Sequence, residues 1–345
     1  MTTVPLRPSF SVVINNYNYG QYLPEALDSA LAQIAESDEI LVVDDGSTDN
    51  SLDILSRYES EHGVRVIAQE NQGQMKAVRE GIRAAKGEII LLLDSDDYFL
   101  SGYLDRLRKI YRSNSEIDFA FSGAVVGGSD AEQVKENREN LDRMELCPGK
   151  IGPTKWSTLL FYEFVGVPTS GISLNAALAR KILSLPTAVD ATQRFPAFTA
   201  RLLGIPESEA RKSGFNADGV IVRSASILNA GKYYDDVPGF FYRIHGKNKH
   251  ATMTRPARLY IRAQRRQIFV DSISELFSLP ARPTARELEA EIVQRAYGVR
   301  SRRLIHIRAK YAIAALISCR GPLSHRLSAL TAALGLKPIR PGPPT

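Results

Sequence analysis

The chain has 345 residues, 44% hydrophobic and 24% charged, with a formal net charge of +6. This ordinary globular composition excludes disorder as the dominant state and leaves room for one large core or a main domain with an appendage. Two cysteines, Cys147 and Cys319, exclude a disulfide framework and fit a reducing compartment, and neither a membrane span nor a secretory leader is expected, because no apolar run approaches the necessary length.

In chain order, Phe10–Ile14 is an apolar, β-branched run ending at Asn15, Asn16 and Gly20, which predicts a buried strand and a loop. Leu23, Ala26, Leu27, Ala30 and Leu31 recur at helical spacing over 22–33, with Pro24 tolerated in the first turn. Ile40–Val43 is a second strand, followed at once by Asp44-Asp45-Gly46-Ser47-Thr48-Asp49, a helix over 51–60 and a strand over 64–67. Asn71-Gln72-Gly73-Gln74 opens a helix that closes at Gly87, and the apolar run Ile89–Leu93 leads into Asp94-Ser95-Asp96-Asp97. A helix over 102–112 and a strand over 117–122 complete this half. Beyond Gly127 the pattern weakens: 129–155 reads as polar loop, 168–174 as a strand before a helix at 176–184, and 218–228 as a helix before short strands near 232–234 and 240–244. Strands alternating with helices in this way predict a doubly wound α/β sheet, whose ligands bind outside the carboxyl ends of the strands. Asn15 and Tyr17, Asp44 and Asp45, and Asp94 and Asp96 would converge there.

The residue types suggest a chemistry while leaving alternatives open. Asp94 and Asp96, one residue apart, can share a divalent cation through hard oxygen ligands, or they form a solvated acidic turn. Asp45 can accept from a pyrimidine imide N–H, since a carboxylate only accepts, or it belongs to the turn made by Gly46. Tyr17 offers a flat face to a base or belongs to the core. Gly73 admits backbone N–H groups to phosphate or ribose, or simply starts a helix.

Taken together, Val12–Asn18 with Tyr22–Leu31, Val42–Asp49, Asn71–Gln74 and Leu93–Asp97 resemble the family 2 glycosyltransferases of GT-A fold over roughly residues 9–125, with weaker likeness at Thr169–Gly171, Ala217-Asp218 and Tyr242–Asn248. The resemblance implies a GT-A mixed sheet over 1–250, divided into a nucleotide-binding half (1–125) and an acceptor half (126–250). It implies a nucleotide-sugar donor, a Mg²⁺ or Mn²⁺ ion and transfer with inversion. By position, Asn15, Tyr17, Asp45, Gly73 and Asp94 would bind the nucleotide, and Asp94, Asp96 and His245 the metal. Arg243 and His245 would lie near the diphosphate, and Asp218 would be the catalytic base. Asp45 suits a UDP-sugar, and thymine presents the same edge. The chain departs from the family pattern at Ala217, where many relatives have a second acidic residue, and at Arg79 and Asn175, which bear on the donor sugar. A Gln-x-x-Arg-Trp signature is absent, so single-sugar transfer is expected in place of polymer extrusion. The rival readings are a sugar nucleotidyltransferase and a non-catalytic sugar-nucleotide- or glycan-binding module.

Charge is unevenly spread: residues 255–345 carry 17 Lys and Arg against 5 Asp and Glu, a net of +12, leaving the remainder at −6. A basic helical extension over 251–336 and a disordered tail over 337–345 are expected. Leu304, Ile307, Tyr311, Ala315 and Ile317 can line one helix face among arginines, an arrangement suited to an anionic membrane surface or to packing on the catalytic domain or a second copy in a homodimer. The basic residues are not interleaved with aromatics as in a nucleic-acid module, so no nucleic acid is expected. The acceptor is expected to be a glycan, free or polyprenyl-linked, of a surface polysaccharide, and the location cytoplasmic and peripheral on the cytosolic face.

Overall fold

The computed structural model describes residues 8–130, 134–135, 146–152, 154–155, 158, 164–185 and 216–245. Strands β1 (Phe10–Asn16), β2 (Glu39–Asp44), β3 (Arg65–Ala68) and β4 (Ile89–Asp94) alternate with helices α1 (Leu23–Leu31), α2 (Ser51–His62) and α3 (Gln74–Ala84). Then follow β5 (Tyr98–Phe99), α4 (Tyr103–Ser113), β6 (Phe119–Gly128), β7 (Gly149–Ile151) and a 3₁₀ turn (Thr169–Gly171). The described chain ends with β8 (Ile172–Asn175), α5 (Ala176–Leu183), α6 (Ala217–Ile227) and β9 (Lys232–Ile244). The strand order is β3-β2-β1-β4-β8-β6-β9-β5, with β7 also on β9.

The first four strands are mutually parallel because helical crossovers return each chain to the same edge. Their centre is apolar on both faces: Val12, Val13, Ile14, Ile90, Leu92 and Leu93 are fully or almost fully buried. Each such side chain contributes about 1.5–3 kcal/mol. α3 lies close on this sheet at Gly81, where a Cβ would come within 2.3 Å of Val13 Cγ1. The other half is mixed. β8 runs antiparallel between β4 and β6, β9 is parallel to β6, and β5 pairs antiparallel with the far part of β9.

Several local expectations are revised. The helix read from Asn71 begins at Gln74 and ends at Ala84, because the N–H groups of Gln72 and Gly73 are held by a side chain outside the helix. The strand read over 168–174 starts only at Ile172, after the 3₁₀ turn. The two short strands near the end are one strand, β9, whose register with β6 shifts between Ser122 and Ala124 while Asp236–Pro238 bulge into solvent. β6 runs on to Gly128, and β5 and β7 went unforeseen; β7 falls inside the stretch read as loop. The extension over 251–336, the tail over 337–345 and the Asn248 end of the last motif lie outside the described residues. Among the described residues no helix is long and apolar enough to cross a membrane.

Candidate active site

β1 is the point where the winding reverses: β2 lies on one side of it and β4 on the other, and a crevice opens beyond their carboxyl ends. Register sets what meets there, with Asn15 opposite Asp94 and Asn16 opposite Asp44. The cleft holds about 340 Å³ and is lined by Asn15, Tyr17, Asp45, Gly73, Asp94, Asp96 and Asp218, among others. Tyr17 is 46% exposed, so it is a surface ring at the rim and not a core tyrosine.

Asp45 is 3% exposed and staples the loop before α3. Its Oδ1 accepts from Gln69 Nε2 at 2.6 Å and from the Gln72 N–H at 2.9 Å, and its Oδ2 from the Gly73 N–H at 2.7 Å. A carboxylate has about four acceptor sites, which leaves capacity for one further donor from the cleft. Gly73 sits at φ +92 with open space where a Cβ would stand, so its backbone reaches the left-handed region and keeps the cleft wall clear. Its own N–H is committed to Asp45.

The acidic corner follows β4. Gln74 Nε2 donates to Asp94 Oδ1 at 2.8 Å, and the Asp94 N–H is held by Ser170 Oγ of the 3₁₀ turn at 3.1 Å. Burial, then the Asp96 charge, pushes the Asp94 carboxyl up to about 7, against hydrogen bonds from Asn15 and Gln74. Asp97 is 2% exposed and faces inward, accepting from Ser170 Oγ at 2.5 Å and from the Arg243 backbone N–H at 2.8 Å. Burial and its two acidic neighbours hold its carboxyl well above the ordinary range.

Asp94, Asp96 and Asp97 each bring one carboxylate oxygen to within 4.8 Å of the others. These are hard oxygen donors of the kind Mg²⁺ and Mn²⁺ take. Asn15 Oδ1 and Ser95 Oγ are buried at the same corner without a partner. Both Asp97 oxygens are engaged within the fold, so Asp94 and Asp96 are the carboxylates turned toward the cleft. The residues therefore fit a divalent cation. No Lys, Arg or His is among the described residues lining the cleft, while Asp45, Asp94, Asp96 and Asp218 all are.

Asp218 lines the same cleft from the first turn of α6. Asn216 occupies the N-cap position, so Asp218 is not the cap; its Oδ1 accepts from the Gly219 N–H at 2.6 Å. It stands outside the group of carboxylates that could share an ion. His245 and Arg243 lie behind the corner and do not line the cleft. His245 Nε2 is 2.9 Å from Asp96 Oδ2, and the Arg243 guanidinium pairs with Glu25.

Sequence reasoning missed Ser95, Gln74, Ser170, Asp97 and Tyr242. Tyr242 lines the cleft from β9, and burial followed by the charges of Asp97, Asp96, Asp94 and Asp218 pushes its phenol up, which keeps it a neutral donor. Strand alternation would have put Tyr242 and Arg243 on opposite faces, had the length of β9 been foreseen. Asn175, singled out as a departure, caps α5 by accepting from the Leu178 N–H at 2.7 Å and binds Asp118.

Residues 11–165 match the family described as glycosyl transferase family 2. An uncharacterized glycosyltransferase of Nostoc sp. is 28% identical over 244 residues, covering 70% of this chain and 66% of that protein. A poly(ribitol-phosphate) beta-glucosyltransferase of Bacillus spizizenii is 37% identical over 200 residues, covering 52% of this chain and 31% of its own length. The chain thus spans at most about two thirds of these relatives. The S. aureus TarS 1-349 structure, in complex with UDP-GlcNAc, superposes with a TM-score of 0.52 at 15% identity, over 94% of this chain and 89% of that one, which is a likeness of fold.

Proposed function

We propose, from the match of residues 11–165 to glycosyl transferase family 2, that the chain moves a single sugar, with inversion, from a pyrimidine nucleotide-sugar to a hydroxyl of a glycan or lipid-linked glycan. One observation carries this reading: carboxylates from β2, β4 and α6 share a cleft whose described lining has no basic side chain. A diphosphate entering such a cleft needs a cation with it. Asp94 and Asp96 would hold Mg²⁺ or Mn²⁺, which when bound would offset the charge gathering on the departing diphosphate.

The chain's own groups supply the rest. The remaining acceptor capacity of Asp45 suits the imide N–H of uracil, and the exposed ring of Tyr17 suits the base's face. Asp218, apart from the cation carboxylates, takes the proton of the acceptor hydroxyl as its oxygen bonds to the anomeric carbon. The bond from that carbon to the diphosphate oxygen breaks, and the nucleoside diphosphate leaves on the opposite side. Tyr242 adds a neutral O–H donor without a competing charge. The basic segment 255–336 is proposed to face anionic lipid, which suits a lipid-linked acceptor.

The test is a panel of nucleotide-sugars with Mn²⁺, read by thermal shift and by donor turnover. UDP-sugars are expected to stabilise the chain by several degrees only when Mn²⁺ is present. Stabilisation by purine nucleotide-sugars alone would overturn the pyrimidine assignment, and stabilisation without turnover on any acceptor glycan would make the chain a binding module.

A further inference from the structure

The acidic corner is gripped from behind by residues the cleft does not expose. Arg243 Nε donates to the Asp96 carbonyl at 2.8 Å, and the Arg243 backbone N–H reaches Asp97 Oδ1 at the same distance. Its guanidinium pairs with Glu25 in the first turn of α1 and lies over the rings of Tyr22, Tyr98 and Phe241, at 4.9, 5.7 and 5.5 Å from their centroids. His245, 7% exposed, reaches Asp96 Oδ2 while its ring stacks on Tyr22 and meets the edge of Tyr19. Asp96 is therefore fixed at its carbonyl by Arg243 and at its carboxylate by His245.

Such restraint has a physical purpose. Three carboxylates crowd within a few ångströms and repel one another, and the turn that carries them has a single bond of its own, from the Asp97 N–H to the Asp94 carbonyl at 3.0 Å. Left to itself the turn would open and spread the oxygens. A guanidinium already matched by a carboxylate and covered by three rings is poorly placed to reach a phosphate, and well placed to act as a fixed post.

We propose that Glu25 and Arg243 are positioning residues for the cation site: Glu25 orients the guanidinium so that Arg243 clamps the main chain of Asp96 and presents its carboxylate to the metal. This deepens the reading of the cleft given above and rests on it. Groups behind metal ligands commonly change metal affinity by about 10–100-fold when removed. Lysine at 243 would keep the charge but lose the Nε donor and the planar face.

The experiment compares the full-length wild type with Glu25→Gln, Arg243→Lys and the double variant, measuring Mn²⁺ affinity by electron paramagnetic resonance with and without UDP. Arg243→Lys is expected to weaken Mn²⁺ about tenfold and Glu25→Gln about threefold, with the double variant no worse than Arg243→Lys. Turnover is expected to recover when Mn²⁺ is raised to saturation, a rescue that a misfolded variant would not give. Because the Glu25 side chain is half exposed, Glu25→Gln keeps the test valid even if Arg243→Lys unfolds. Unchanged Mn²⁺ affinity in Glu25→Gln, with UDP binding tightened by a freed Arg243, would overturn the proposal and make Arg243 a phosphate ligand. A wild type that binds neither Mn²⁺ nor UDP would instead bring down the reading of the cleft itself.

Discussion

In the parallel half of the sheet, β1, β2 and β4 end side by side, and the residues that follow each apolar run, Asn15, Asp45 and Asp94, go straight into the cleft. In the mixed half, Tyr242 reaches the same cleft from within a long strand, Thr169 from a 3₁₀ turn, and Asp218 from the first turn of a helix. The parallel half gathers groups through strand ends, which local sequence dictates. The mixed half gathers them through pairings between distant segments, set by antiparallel register and by the shift between β6 and β9.

If that division is functional as well as geometric, each half can be disabled alone. The largest effect is expected from Asp218→Asn, which removes the proton acceptor: turnover should fall about 10³-fold, while Mn²⁺-dependent UDP binding, read by calorimetry, stays within twofold. Loss of UDP binding in this variant would erase the separation of roles.

Next is Lys232→Met. Lys232 is 1% exposed and its Nζ donates to Val165 O, Val222 O and Ser226 Oγ, joining β9 to α6 and to the segment before the 3₁₀ turn. Leaving these acceptors buried without a donor should cost about 3 kcal/mol in urea unfolding. A variant as stable as the wild type would show that α6 is held by packing alone.

The smallest effect is a pH dependence confined to the parallel half. The Asp94 carboxyl is pushed up to about 7, above its unfolded value, so its contribution to the stability of the metal-free protein is full at low pH and is lost as pH rises through 7. A cation needs the ionised form and competes with that proton. Mn²⁺ affinity should therefore increase about tenfold from pH 6 to pH 8, and the Mn²⁺-induced rise in Tm should grow with it. Affinity flat across this interval would contradict the shared environment of Asp94 and Asp96.

The same division accounts for what could be read in advance. β1, β2 and β4 are continuous apolar runs punctuated by polar residues, so their positions and the acidic groups after them were legible. Asp97 was not separable from Asp96 by sequence, because its inward turn depends on Ser170 and on the Arg243 backbone, remote in the chain. Gly73 reads either as admitting backbone N–H groups to a ligand or as a helix start; it stands at the N-cap of α3, and its own N–H goes to Asp45, from the end of the neighbouring strand. Arg243 and His245 were placed near the diphosphate through resemblance. Nothing local in the amphipathic pattern of α1 tells that Glu25 faces Arg243.

Strand β9 starts with a lysine anchored under the helix of Asp218 and ends one residue before the histidine that backs Asp96. Paired along the ten residues of β6, at about 3.3 Å per residue this one covalent strand spans roughly 30 Å and works as a ruler between the Asp218 side of the cleft and the cation-binding side. Loops around the rim can be exchanged without altering that gauge. Deleting a residue from its paired stretches, outside the bulge at Asp236–Pro238, would reset the spacing of both sides at once, so its paired length is the dimension along which this scaffold has least freedom to drift.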